Sequence, residues 1–207
     1  MQLTTLVLAA LTSLASAQKT WVVTVAQNGS LTYSPNKITA EVGEYVQFQF
    51  HAGNHTVTQS TFDAPCQPSA QHSNITGFHS GFLPAAAMAA EGRIPTYTIK
   101  VNNTNPMWLY CAQGKHCENG MVMVINEPTN PNRTLAKYTA AAAQAAAGVP
   151  GDVAGAGGQT GSTDTPTASG SATPPAASTG VVTAAAGTVA APATFALLAA
   201  AGAAMLL

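Results

Sequence analysis

The chain has 207 residues, of which 7% are charged, and its seven basic and eight acidic side chains leave a net charge of −1. No basic run is present to meet nucleic acid or an anionic membrane surface. Length overstates the folded part, because nearly all the aromatic residues and every His and Cys fall between Thr20 and Asn126.

Residues 1–17, MQLTTLVLAALTSLASA, form an apolar run closed by Ala15-Ser16-Ala17, the small-x-small pattern that precedes signal-peptidase cleavage. The mature protein is therefore expected to begin at Gln18 and to be extracellular. A domain over residues 18–128 follows. Trp21 to Val25 opens it, and Tyr45 to Phe50 alternates, with Val46, Phe48 and Phe50 on one face and Gln47 and Gln49 on the other. Thr96 to Val101 repeats the pattern with Tyr97, Ile99 and Val101 inward; Met107 to Tyr110 and Met121 to Ile125 supply two more apolar strands. Short strands bounded by Gly, Pro and Asn, without an amphipathic helix, predict an all-β sandwich or barrel. Residues 67–95 fit neither period and read as a long loop holding one helical turn.

After Pro128 the composition turns to Ala, Gly, Ser, Thr and Pro, too poor in large apolar side chains to bury a core. Residues 129–180 read as a disordered, glycosylated stalk, in which Leu135 to Ala147 forms at most a transient helix and Thr160 to Thr179 an O-glycosylated tether. The sixteen uncharged residues from Pro192 are shorter than the ~20 of a comfortable transmembrane helix. Behind the spacer Val181 to Ala191 they suit a glycosylphosphatidylinositol signal, residues 181–207, removed on attachment at Ser178 within Ser178-Thr179-Gly180. Five Asn-x-Ser/Thr sequons stand at Asn28, Asn54, Asn74, Asn102 and Asn132. Asn54 is expected to stay unmodified more often than the others, since a glycan there crowds His55.

The chemistry concentrates in Cys111-Ala-Gln-Gly-Lys-His116-Cys117-Glu-Asn-Gly-Met121, with Asn54-His55-Thr56-Val57 upstream. Two imidazoles, a thiolate and a thioether are the donor set of a mononuclear copper electron-transfer site: soft sulfur favours Cu(I) and imidazole suits both oxidation states. Four residues between Cys111 and His116, and four between His116 and Met121, let one loop between two strands wrap three ligands round one ion. His55 closes the site from another strand. Three cysteines leave one unpaired in an oxidising compartment, and Cys111 pairing with Cys117 is one arrangement they allow. His51 replaces His55 only if the strand slips by four residues. His51, His72 and His79 otherwise read as surface or loop residues, Met123, Trp108 and Tyr110 as packing, and Glu118 and Asn119 as shaping the turn.

Asn-His-Thr-Val followed by Cys-x4-His-Cys-x3-Met resembles the phytocyanin branch of the cupredoxins, and is most similar to fungal members with a Ser/Thr-rich stalk and a lipid anchor. The resemblance covers residues 20–126. It implies a cupredoxin-like Greek-key β-sandwich of about eight strands, one type 1 copper held by His55, Cys111, His116 and Met121, and a Cys66–Cys117 disulfide that leaves Cys111 free. Closing that long loop also gives the larger entropic gain. The Ala- and Gly-rich stretch from Cys66 to Thr96 departs from the plant proteins.

Three functions compete. A surface copper protein, acting as a monomer in single-electron transfer with an unnamed redox partner or in copper capture and delivery, is supported by the ligand set. An enzyme is not expected: the histidines form no His-x-His pair for a multicopper oxidase, the mature terminus is Gln18 rather than a metal-binding His, and no Ser/His/Asp set or carboxylate pair stands out. A copper-free adhesive glycoprotein of the cell wall suits the sequons, stalk and membrane anchor equally well, so the intact ligands decide for copper.

Overall fold

A computed structural model describes residues 18–165; the expected leader at 1–17 and the anchor signal with Ser178 lie outside these described residues. In chain order the elements are β1 (Thr20–Val25), β2 (Tyr33–Ser34), β3 (Lys37–Ile38), β4 (Tyr45–Phe50), β5 (Asn54–His55), β6 (Thr58–Ser60), α1 (Ser69–His72), β7 (Leu83–Pro84), α2 (Ala86–Ala89), β8 (Arg93–Lys100), β9 (Met107–Tyr110), β10 (Val122–Ile125), α3 (Leu135–Ala142) and β11 (Gln159–Asp164). One sheet runs β11-β8-β4-β1-β2 and the other β3-β10-β9-β6, with β5-β7 as a small ribbon at one end. Within the sheets β1 lies parallel to β4 and β3 parallel to β10, while the remaining pairs are antiparallel.

The alternation in β4 survives in the structure: Val46, Phe48 and Phe50 are buried and Gln47 and Gln49 are not. With Val23, Val25, Tyr97 and Ile99 they face Leu109, Met123 and Ile125 of the other sheet across the main core. In β10, by contrast, every residue is buried. A strand covered on both faces reads as a continuous apolar run, and the cover here is α3. Tyr138 and Ala142 of that helix pack on Trp108, Tyr110, Val122 and Val124, forming a second apolar cluster with Phe62 and Cys66.

That helix overturns the expected domain boundary at Pro128 and the idea of a stalk from residue 129. Tyr138 is fully buried, hydrogen-bonded to Ser60 Oγ at 2.5 Å, and its ring centroid is 5.0 Å from that of Trp108. Beyond it, residues 143–158 run as a strap across the domain and lead into β11, which pairs with β8 from Gln159 to Asp164, where a tether was expected from Thr160. Glycine lets the strap lie flat: a Cβ at Gly158 would stand 2.5 Å from the Tyr97 ring, and one at Gly148 3.0 Å from Ala112 Cα. The described residues, 18–165, all belong to one compact unit. The expected loop at 67–95 holds two helical turns, α1 and α2, and β7. Eleven strands among the described residues, rather than about eight, reflect β11 and several two-residue pairings.

Candidate metal centre

Each candidate ligand is placed by a different constraint. His55 sits on β5, whose partner is β7, and its ring is 4% exposed. Gly53, at φ +64°, cradles the outer edge of that ring: a Cβ there would stand 2.8 Å from His55 Nε2, so Nδ1 turns the other way. Cys111 follows the last residue of β9 and is fully buried, its backbone N–H donating to Met121 O at 3.1 Å. The loop from Gln113 to Met121 folds on itself, with His116 N–H donating to Gln113 O at 2.9 Å and Met121 N–H to His116 O at 2.9 Å. Gly114 (φ +50°) and Gly120 (φ +91°) supply the turns in backbone conformations that side chains disfavour.

These constraints converge on one point. Cys111 Sγ lies 3.6 Å from His55 Nδ1 and 3.5 Å from His116 Nδ1, and the two nitrogens are 3.2 Å apart. A triangle with those sides has its centre about 2.0 Å from each corner, close to the length of a metal–imidazole bond. Met121 is fully buried and its main chain is tied to both Cys111 and His116. His51 lies outside the cluster, so the shifted register is not adopted. Cys66 and Cys117 form the disulfide, with Cα atoms 5.8 Å apart, and Cys111 remains the free thiol.

Electrostatics favour a soft cation at the centre. Burial lowers His55 to about 4, helped by His116, and burial also lowers His116 against the opposing field of Glu118. Both imidazoles therefore offer lone pairs at neutral pH. Burial pushes the Cys111 thiol up, while the N–H groups of Thr56 and Gln113 and the Thr56 hydroxyl pull it down. A buried thiol between two neutral imidazoles binds a cation by giving up its proton.

The sequon residues Asn28, Asn54, Asn74, Asn102 and Asn132 are all exposed. Trp108 and Tyr110 are buried as expected, and Tyr110 donates its hydroxyl proton to Val149 O on the strap. His72 ends α1 on the surface, but His79, expected there too, is 5% exposed and hydrogen-bonded to Thr58. No ligand spacing surrounds His79, and only the pairing of its strand segment with Thr58 and Ala156 draws it inside.

A two-sheet Greek-key sandwich holding a His-Cys-His triangle, with His55 and Cys111 buried and His116 partly exposed, defines a cupredoxin-type protein. The chain belongs to the cupredoxin family: it is 40% identical over 173 residues to a probable GPI-anchored cupredoxin-1 of Arthroderma benhamiae, an alignment covering 83% of this chain and 77% of that one. An extracellular serine-rich protein of the same organism is 36% identical over 115 residues, 56% of this chain and 42% of its own length. No family model matches the sequence. Among solved structures it is similar to plastocyanin from Dryopteris crassirhizoma (TM-score 0.37, 20% identity, 50% of this chain and 96% of that one). Another is pseudoazurin from Hyphomicrobium denitrificans (TM-score 0.38, 17% identity, 61% and 98%).

Proposed function

We propose that this protein is a type 1 copper protein of the cell surface that carries single electrons or holds copper, and not an enzyme. The observation that carries the reading is the triangle of Cys111 Sγ, His55 Nδ1 and His116 Nδ1, with sides of 3.2–3.6 Å. Bound copper would supply a Cu(II)/Cu(I) couple, held by His55, Cys111 and His116 with the Met121 thioether as the fourth donor of the set. The protein's part is to hold the donors still. Gly53 leaves room for the back edge of the His55 ring, backbone hydrogen bonds close the loop round His116, and the disulfide anchors the residue after it. His116 is more exposed than His55 or Cys111, which makes its ring edge the port for a partner.

An apolar leader at 1–17, exposed sequons, and an anchor signal after Ser178 support an extracellular, membrane-attached glycoprotein, as does the relative named GPI-anchored. The full chain with one equivalent of Cu(II) is expected to show an intense thiolate-to-copper charge-transfer band and a narrow copper hyperfine splitting, both absent in Cys111→Ser. A colourless wild-type protein, or a copper signal indifferent to Cys111, would replace this reading with a copper-free wall glycoprotein.

A further inference from the structure

Beside the turn that carries the chain from β8 in one sheet to β9 in the other lies an open cavity of about 320 Å³. None of the metal-centre donors lines it. Of the residues that do, Phe78 and Ile99 are buried members of the main core, whereas Ile75 is 56% exposed. The groove therefore leads from the surface down to the core. Gln59, Lys100 and Asn102 add polar groups to the same lining. An apolar bed with a few polar groups beside it is the make-up of a small-molecule site, and covering apolar surface of this kind stabilises by about 25 cal/mol per Å².

Asn102 singles out the occupant. It begins the sequon Asn102-Asn103-Thr104 in that turn, and all three residues are exposed, so a glycosyltransferase can reach them. Asn103 Oδ1 accepts from Asn105 N–H at 3.0 Å and holds the turn, while Asn102 lines the groove. Glycosylation joins Asn102 Nδ2 to C1 of N-acetylglucosamine: the C1–O bond to the diphosphate of the sugar donor breaks, and one Nδ2 proton leaves. We propose that this groove seats the first sugar of the Asn102 glycan. The inference rests on the glycoprotein reading above. A pyranose ring presents C–H faces to Ile75 and Phe78, and its acetamide and hydroxyls suit Gln59 and Lys100. Tethering does the rest. A free sugar must offset its lost translational and rotational freedom with these few contacts, whereas one joined to a residue of the groove's own lining is held there at an effective concentration on the order of millimolar. Seated so, it covers the way down to Phe78 and Ile99 and the exposed side of Ile75.

The test compares the chain secreted by a glycosylating eukaryotic host with Thr104→Ala, which removes the sequon at an exposed position and keeps Asn102. At a fixed urea concentration the folded-to-unfolded ratio of Thr104→Ala is expected to be roughly fivefold lower, on the scale of one net hydrogen bond. Trimming the wild-type glycans with an endoglycosidase that leaves one N-acetylglucosamine per site should change nothing, because the first sugar is the one seated. In an Ile75→Ala background, which keeps the sequon of Asn74 and Thr76 intact, the same comparison should give a smaller factor, since part of the bed is gone. An equal factor in both backgrounds, no drop in Thr104→Ala, or a loss on trimming overturns the proposal. Anilinonaphthalene sulfonate, a dye that fluoresces on apolar surface, is expected to bind Thr104→Ala and not the trimmed wild type; equal binding leaves the groove open to a protein partner and refutes the seat. Glycopeptide mass spectrometry separates the two readings. Sugar on other sequons and none on Asn102 strikes the seat alone, and no sugar on any sequon strikes the glycoprotein reading with it.

Discussion

At Gly53 a single hydrogen atom decides whether His55 can reach the metal centre. The backbone there has φ +64°, and a Cβ would stand 2.8 Å from His55 Nε2 and 3.3 Å from Cδ2. Real Cβ contacts are not that short, so Gly53→Ala must displace the imidazole as well as strain its own backbone by about 1 kcal/mol. Because the new Cβ would meet the Nε2 and Cδ2 edge, opposite Nδ1, the displacement is toward the other two donors. Copper retention against a chelator is expected to fall roughly ten- to hundredfold, the usual effect of losing a group that orients a ligand, while the far-UV spectrum stays unchanged. Unaltered retention would show that His55 is oriented by its front contacts alone. His55, Cys111 and His116 were legible in the sequence because ligand chemistry imposes residue types at fixed separations. The burial of His79 was not, since it comes from pairing with Thr58 and Ala156, which no spacing rule ties to it, and a histidine between Phe78 and Ser80 has nothing locally to distinguish it from a loop residue.

The helix Leu135–Ala142 shows where element-level reading failed and why. Its sequence, LAKYTAAA, offers a weak amphipathic pattern, and the residues that follow are almost all small, so composition argued for a chain without a core. One side chain reverses that judgement. Tyr138 fills the space beneath Trp108 and Phe62 and joins Ser60. The Thr134 side chain accepts from Lys137 N–H, and Glu127 Oε1 accepts from Leu135 N–H at 2.5 Å, so the first turn is also capped. The alternating strands were legible because period-two burial is written in the sequence; β11 was not, because Gln-Thr-Gly-Ser-Thr-Asp carries no apolar face and is held by its pairing with β8. Tyr138→Ala removes a buried aromatic ring together with its bond to Ser60, whose hydroxyl keeps Thr61 O as a partner, and a loss of about 3–5 kcal/mol in urea unfolding is expected. A loss below about 1 kcal/mol would mean that the helix and strap come away from the sheet and that the folded unit ends near Pro128 after all.

Across the whole molecule, the metal centre lies where three separate parts of the chain are fastened together. β5 brings His55, the end of β9 brings Cys111, and the loop before β10 brings His116. The Cys66–Cys117 disulfide spans 51 residues and binds that loop to the segment following β6, while Val149 of the strap donates to Cys66 O at 2.9 Å. Cross-linking a loop of 51 residues restricts the unfolded chain by about 4 kcal/mol on the chain-entropy account. In the folded state it does a second thing, since Cys117 is bonded directly to His116 along the chain and fixes where that imidazole stands. The two effects separate by measurement. In the Cys66→Ser, Cys117→Ser double variant, copper-free protein is expected to lose about 4 kcal/mol in urea unfolding. Copper-loaded protein should lose more, because a ligand stabilises the fold only as far as its affinity allows, and a loosened His116 lowers that affinity. Equal losses with and without copper would assign the disulfide to the fold alone and leave the loop's own hydrogen bonds, from Gln113 to Met121, as what places His116.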